Sequence, residues 1–313
     1  MGRIFYTNVT EFILLGFSGF SPFLQNVLFT FFLFGYVLTL FGNGLIILTV
    51  TLDHGLHTPM YFFLRNLSFL ELFFTTVTVP KVLDDLLSET RSISFVGCAA
   101  QMFVFFAIAI SECVFLALMA FDRYMAICHP LRYMYVMNPN ICVQLTAGSW
   151  MIGFLVSFGN TCYIFSLPYC GSNLVAHFFC DASPVLNLIC GDTFKFELFI
   201  LVVCVVGAAI PFLLILCSYI NILSSIMLIH SAEGRHKALS TCGSHLTSVF
   251  LFYGTSMFVH LRLGSDLSPV NDMMLALFYC IIIPALNPLI YSLRNTDMKK
   301  ALRKLILNPL KSY

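Results

Sequence analysis

Charge is what this sequence has least of. Asp, Glu, Lys and Arg make up 10% of its 313 residues, against roughly 25% in an ordinary soluble domain, and 59% of the residues are apolar. A chain so poor in charge cannot clothe itself in a solvated surface, so most of it must face lipid. Its net charge of +1 supplies no field for a nucleic-acid partner. Pro-, Gly- or Ser-rich linkers, internal repeats and low-complexity tracts are also missing, so nothing divides the chain into parts. Residues 1–23 lack the basic-then-apolar layout of a cleaved signal peptide. The simplest reading is one membrane domain over residues 1–313, with no room for a separate soluble one.

What the chain does have is a series of apolar stretches. A helix needs about 20 such residues to span a bilayer. Stretches long enough run over residues 24–52, 59–83, 95–128, 141–164, 197–230, 237–261 and 272–293. None shows the alternating pattern of a membrane β-barrel. The expectation is an all-α, seven-transmembrane helix bundle. Residues 1–23 form an extracellular tail, 24–293 the spans and 294–313 a cytoplasmic tail. Asn43 interrupts the first stretch between two glycines, and the polar turn Asp53–His57 precedes Pro59, which suits the first turn of the second helix. The second stretch carries Arg65 and Glu71, the third Glu112, and the fourth the sole tryptophan, Trp150.

Two observations orient the chain. Asn8-Val9-Thr10 is a glycosylation sequon, used only in the lumen, which puts the first tail outside. A second match, Asn66-Leu67-Ser68, lies inside an apolar run and is noise. With that topology Arg123, Arg132, Arg235, Lys237, Arg294, Lys299, Lys300, Arg303, Lys304 and Lys311 face the cytoplasm. Only Arg3, Lys81, Arg91, Lys195 and Arg262 lie outside, as the positive-inside rule requires. Met298, Leu302, Leu305 and Ile306, with basic residues between them, read as a short amphipathic helix against anionic headgroups.

Several residues carry chemistry. Cys98, Cys170, Cys180 and Cys190 share the outer, oxidising side, where four thiols suggest two bridges and allow three pairings. Glu71 and Glu112 sit near mid-span, where an ionisable group is costly and seeks a partner. Neither has a basic residue at its depth, so the two acids either share a proton, hold a cation, or are hydrogen-bonded separately. Asp122-Arg123-Tyr124 ends the third stretch. Its Arg can pair with Asp122 in one state and turn to a cytoplasmic partner in another. The last stretch ends Asn287-Pro288-Leu289-Ile290-Tyr291, whose proline frees a backbone carbonyl and permits a kink. Two such features at the inner ends of different helices suggest a switch.

Taken together these segments resemble a rhodopsin-like G-protein-coupled receptor and, within that class, an odorant receptor of the tetrapod type. The resemblance rests on Pro59 to Leu64 (PMYFFL), Met119 to Pro130 (MAFDRYMAICHP), Ser218-Tyr219, Lys237 to Cys242 (KALSTC), Pro284 to Asn295 (PALNPLIYSLRN) and the long outer loop with three cysteines. It implies disulfides Cys98–Cys180 and Cys170–Cys190. It also implies a bound monovalent or divalent cation at Glu71 and Glu112, and coupling to the olfactory stimulatory G protein that raises cyclic AMP. Asp122, Arg123, Tyr124, Tyr219, Asn287, Pro288 and Tyr291 would form the switch. Departures are Glu71 for the commoner Asp, Phe121 for Tyr, Arg65 for Ser and His260 for Tyr.

A small volatile ligand needs an apolar cavity with a few polar anchors, which helix bundles offer between helices. Phe105, Phe106, Ala109 and Ile110 form one stripe at helical spacing. By resemblance the stripe faces that cavity together with Val203, Gly207, Tyr253, Ser256, Met257, His260, Leu277 and Cys280. Nothing basic lies deep there, which favours a neutral alcohol, aldehyde, ketone or ester over a carboxylate. The rival readings are a non-sensory seven-helix receptor, a small-solute transporter and an intramembrane protease. A transporter predicts matched broken helices that are absent, and a protease leaves the inner-end motifs without a role.

Overall fold

The structure is a computed structural model that describes residues 9–170, 172–190, 198–199, 201–203, 205–228, 230–260 and 269–307. At 205–206, 236–237, 240–241, 256–260, 269–270, 293–294 and 306 it describes the backbone only. Helix α1 spans Pro22–Leu52, α2 Pro59–Leu87, α3 Phe95–Cys128 and α5 Pro139–Ser166, with a short α4 at Pro130–Val136 before the last. Their starts follow from local chemistry. Ser21, Ser94 and Asn138 cap the N-termini of α1, α3 and α5, each accepting a hydrogen bond from a backbone N–H three residues on. Proline opens α1, α2, α4 and α5, where its missing N–H costs nothing.

After a short α6 at Ala182–Leu186 come α7 (Ile210–Met227), α8 (Ala232–His260), α9 (Pro269–Leu277), α10 (Ile283–Arg294) and α11 (Thr296–Leu307). A π-helical turn, Val205–Ala209, leads into α7, and another, Phe278–Ile282, joins α9 to α10. The sequence pattern treats each of these spans as one uninterrupted helix. The wide turns fall just before Pro211 and Pro284, where a ring without an N–H already disturbs the i to i−4 ladder. Six stretches among the described residues are long and apolar enough to cross a membrane. Helix α8 is 29 residues long but opens with Glu233, Arg235 and several hydroxyl residues. It packs against α3 and α10 as the remaining member of one seven-helix bundle.

Close approach is built from small residues. Ser149, Gly153 and Ser157 follow one another at every fourth position of α5 and are all buried against α3. A Cβ on Gly153 would run into the carbonyl oxygen of Ala107 and the Ser111 hydroxyl. Beside it, Ser157 Oγ donates to the Phe103 carbonyl at 2.6 Å.

At one end of the bundle the first described residues form structure that the reading of a plain tail misses. Strand β1 (Glu11–Leu14) lies between β2 (Ser92–Ser94), antiparallel, and β3 (Leu174–Val175), parallel. Phe12 faces Ile93 and Leu14 faces Val175. Strand alternation turns Phe12 and Leu14 inward, where both are buried against Cys98, Met102 and Tyr169. The turn that follows needs Gly16, whose φ is +42°.

Candidate functional site

Helix α3 is the axis along which the functional residues are strung. At the β-sheet end, disulfides join Cys98 to Cys180 and Cys170 to Cys190, with Cα atoms 5.4 and 5.5 Å apart. Gln101, one turn below Cys98, accepts from the Cys180 N–H at 2.9 Å and donates to the Val77 carbonyl at 2.9 Å. It therefore ties the long loop to both α2 and α3. The sequon residue Asn8 lies outside the described residues.

From that anchor His177, Phe178 and Phe179 dip into the bundle. Phe179 is fully buried, with its ring 4.9 Å from Phe105. Phe178 stacks on Phe17 at 5.4 Å and meets Phe32 at 5.8 Å. His177 is buried between these rings, and its Nδ1 accepts from the Phe179 N–H at 3.4 Å. With no charged partner among the described residues, burial pushes its pKa down to about 3, so the ring is neutral.

Beneath this plug lies the level where the sequence leads one to expect a ligand. Phe105 is enclosed by Phe74 at 4.8 Å, Phe106 at 5.5 Å and Tyr279 at 6.2 Å, in addition to Phe179. Phe106, Ala109 and Ile110 are half-buried, as are Val203, just before the first π turn, and Gly207 within it. Tyr253, Leu277 and Cys280 are buried, Tyr253 with its ring 5.0 Å from Phe212. The backbone of α8 continues through Ser256, Met257 and His260, whose side chains lie outside the described residues. Phe74, Phe179 and Tyr279 are members of this cage that sequence reasoning missed. Phe74 carried a usable signal, since it lies three residues beyond Glu71 on the same inward face.

Two turns further along α3 the two acids come together. Glu71, Glu112 and Asn287 are all buried, and Asn287 Nδ2 donates to Glu71 Oε1. The carboxyls of Glu71 and Glu112 are close enough to interact. Glu71 Oε2 and Asn287 Oδ1 are buried without a hydrogen-bond partner among the described residues. Two unmatched oxygens beside a second carboxyl could be satisfied by a proton shared between the acids or by a cation. Among the described residues no larger cluster of His, Cys, Asp and Glu occurs.

Below the acids His245 of α8, another residue the sequence reading passed over, bridges three helices. Its Nε2 is 3.0 Å from the Leu116 carbonyl and its Nδ1 is 2.8 Å from the Tyr219 hydroxyl. The pattern fits a neutral ring that donates from Nε2 and accepts at Nδ1. The carbonyl of Pro284 loses its helical donor because Pro288 has no N–H, and Asn43 Nδ2 takes that place at 3.3 Å. Tyr291, of the same segment, is buried.

At the far end the expected Asp122–Arg123 pair is replaced. Tyr133 of α4 donates to Asp122 Oδ1 at 2.8 Å, and no ion pair joins Arg123 to an acid among the described residues. Arg123 is only 5% exposed and its Nε has no acceptor among the described residues. Tyr124 OH lies 2.9 Å from His129 Nε2. Around them α4 displays Leu131 (99% exposed), Met134 and Tyr135. Tyr61 OH donates to Asn295 at the start of α11, and Lys304 of α11 pairs with Asp53 at 3.3 Å. The Gly55 N–H, with Lys304 adding to it, holds the Asp53 carboxyl below its usual range.

A family model described as olfactory receptor matches residues 32–309. Human olfactory receptor 10A5 is 50% identical over 299 residues, covering 96% of this chain and 94% of that protein. Human olfactory receptor 10C1 is 51% identical over 298 residues, with 95% of each chain covered. Human olfactory receptor 9G4 is 49% identical over 298 residues, covering 95% of this chain and 91% of the relative.

Proposed function

Because the chain belongs to the olfactory receptor family, whose members are multi-pass plasma-membrane receptors coupled to G proteins and not enzymes, we propose how it signals. It binds a small neutral volatile molecule in the β-sheet half of the bundle and activates a stimulatory olfactory-type G protein, raising cyclic AMP. The β-sheet end with its disulfides faces outward, and the Arg123 end, with the basic α11, faces the cytoplasm. Support for this orientation comes from the sequon at Asn8 and from the distribution of Lys and Arg.

The observation that carries the ligand reading is the aromatic cage around Phe105, sealed from the outer face by Phe179. The described side chains at this level bring no positive charge, so a carboxylate would be buried without a counter-ion. A neutral ligand with one oxygen can instead use the Tyr253 hydroxyl, or His260 on the same helix, as its anchor. At the opposite end, exposed apolar side chains on α4 around a buried Arg are the surface expected to meet the G protein. On the same reading a monovalent or divalent cation is held between Glu71 and Glu112 with the free Asn287 oxygen, and ties α2, α3 and α10 together.

The test is a panel of neutral alcohols, aldehydes, ketones and esters, with carboxylic acids of matched size, on transfected cells assayed for cyclic AMP. Saturable responses confined to neutral compounds support the proposal. Responses to acids alone would overturn the ligand class.

A further inference from the structure

Arg65 is a half-buried charge near the start of α2. It lies six residues beyond Pro59, about 9 Å into the helix. The outward face of α2 contains Phe62, Arg65, Phe69 and Phe73, spaced one helical turn apart, with Phe69 45% and Phe73 46% exposed. The guanidinium stands 5.5 Å from the Phe62 ring centroid. Among the described residues no acid pairs with it, and Glu71 points from the opposite, buried face. The apolar bed continues onto α5. Trp150 meets Phe69 edge to face at 6.5 Å and stacks on Phe154 at 5.7 Å.

A cation at this depth is costly unless it reaches the interface or finds an anion. A guanidinium satisfies a phosphodiester with two parallel hydrogen bonds, and the aromatic bed beside it offers a surface for acyl chains. The same end of the bundle also carries Lys299, Lys300, Arg303 and Lys304 on α11, so the field there favours a net negative headgroup. We propose that Arg65 and the Phe69–Phe73–Trp150 face form a binding site for an anionic glycerophospholipid of the phosphatidylserine type. The site rests on the chain spanning a membrane, and not on which face is cytoplasmic or which G protein is engaged.

Trp150 makes the site readable, since it is the only tryptophan in the chain. The full-length receptor is reconstituted in phosphatidylcholine vesicles containing equal mole fractions of acyl-brominated phosphatidylserine or acyl-brominated phosphatidylcholine, and Trp150 fluorescence is measured. The expected result is an apparent preference of about fivefold for the serine lipid, lost in Arg65→Gln and largely kept in Arg65→Lys. Equal quenching by both lipids in the wild-type receptor would overturn the proposal, because it describes ordinary annular lipid. So would a preference that survives in Arg65→Gln, because it places the selectivity elsewhere. Either lipid quenching Trp150 shows that α5 faces lipid, so failure of lipid selectivity is distinct from failure of the membrane reading.

Discussion

At the scale of single residues, the buried polar groups carry the account. An ordinary histidine titrates near 6.5, and burial pushes His177 down to about 3. Above about pH 6.5 the ring is neutral whether the loop is folded or not. As pH falls from there toward 3, the unfolded loop takes a proton that the folded loop refuses, so stability is lost with acid. At pH 5.5 the loss from this group is on the order of 1 kcal/mol. Thermal unfolding of purified receptor at pH 7.5 and 5.5 should therefore show a smaller acid loss in His177→Asn than in wild type; parallel losses would remove His177 from the explanation. The cation reading makes Glu71→Gln and Glu112→Gln each severe, with the double mutant little worse than either, as for residues acting as one unit. Surface level and cyclic AMP response across the four-member cycle check this, and mild additive losses would leave two separate hydrogen-bonded acids. Both acids were legible in the sequence because a carboxylate in an apolar run stands out. Their partner Asn287 was legible only as part of a motif, since its contact with Glu71 is made across 216 residues of chain.

At the scale of elements, the helices that cross the bundle could be read almost to their ends, because capping residues and prolines fix where they begin. The strand β1 could not. It is four residues long and pairs with segments about 80 and 160 residues away, so no local period marks it. The π turns were hidden for a related reason: lipid-facing and core-facing positions are both apolar, so the hydrophobic period barely registers one extra residue in a turn. The role of β1 is testable. Phe12 is fully buried between Phe95, Phe165 and Tyr169, and Phe12→Ala should cost ~3–5 kcal/mol in folding. Surface staining of intact cells should fall steeply in this variant and vanish in Cys98→Ala or Cys180→Ala, whose bridge closes a loop of 82 residues. Normal surface levels in all three would show that the outer cap is not needed for folding.

At the scale of the whole molecule, the bundle joins an apolar cage at one end to a buried arginine at the other. Phe105 and Arg123 share α3 and are separated by about 27 Å along its axis. Between them the Glu71–Asn287 contact ties α2 to α10, and the Leu116–His245–Tyr219 bridge ties α3 to α7 and α8. The number of helices and the positions of both ends were legible from hydropathy and motif. Which side chains fill the space between was not, because the cage borrows Phe179 from a loop and Tyr279 from a π turn. The central claim is that ligand binding near Phe105 is read out through Arg123. The most direct measurement compares wild type and Arg123→Ala, at matched surface level, for cyclic AMP produced by the same active odorant. A saturable wild-type response is expected, and at least a tenfold smaller one in Arg123→Ala, on the order of 1.4 kcal/mol or more of lost coupling. An undiminished response in Arg123→Ala would contradict that claim.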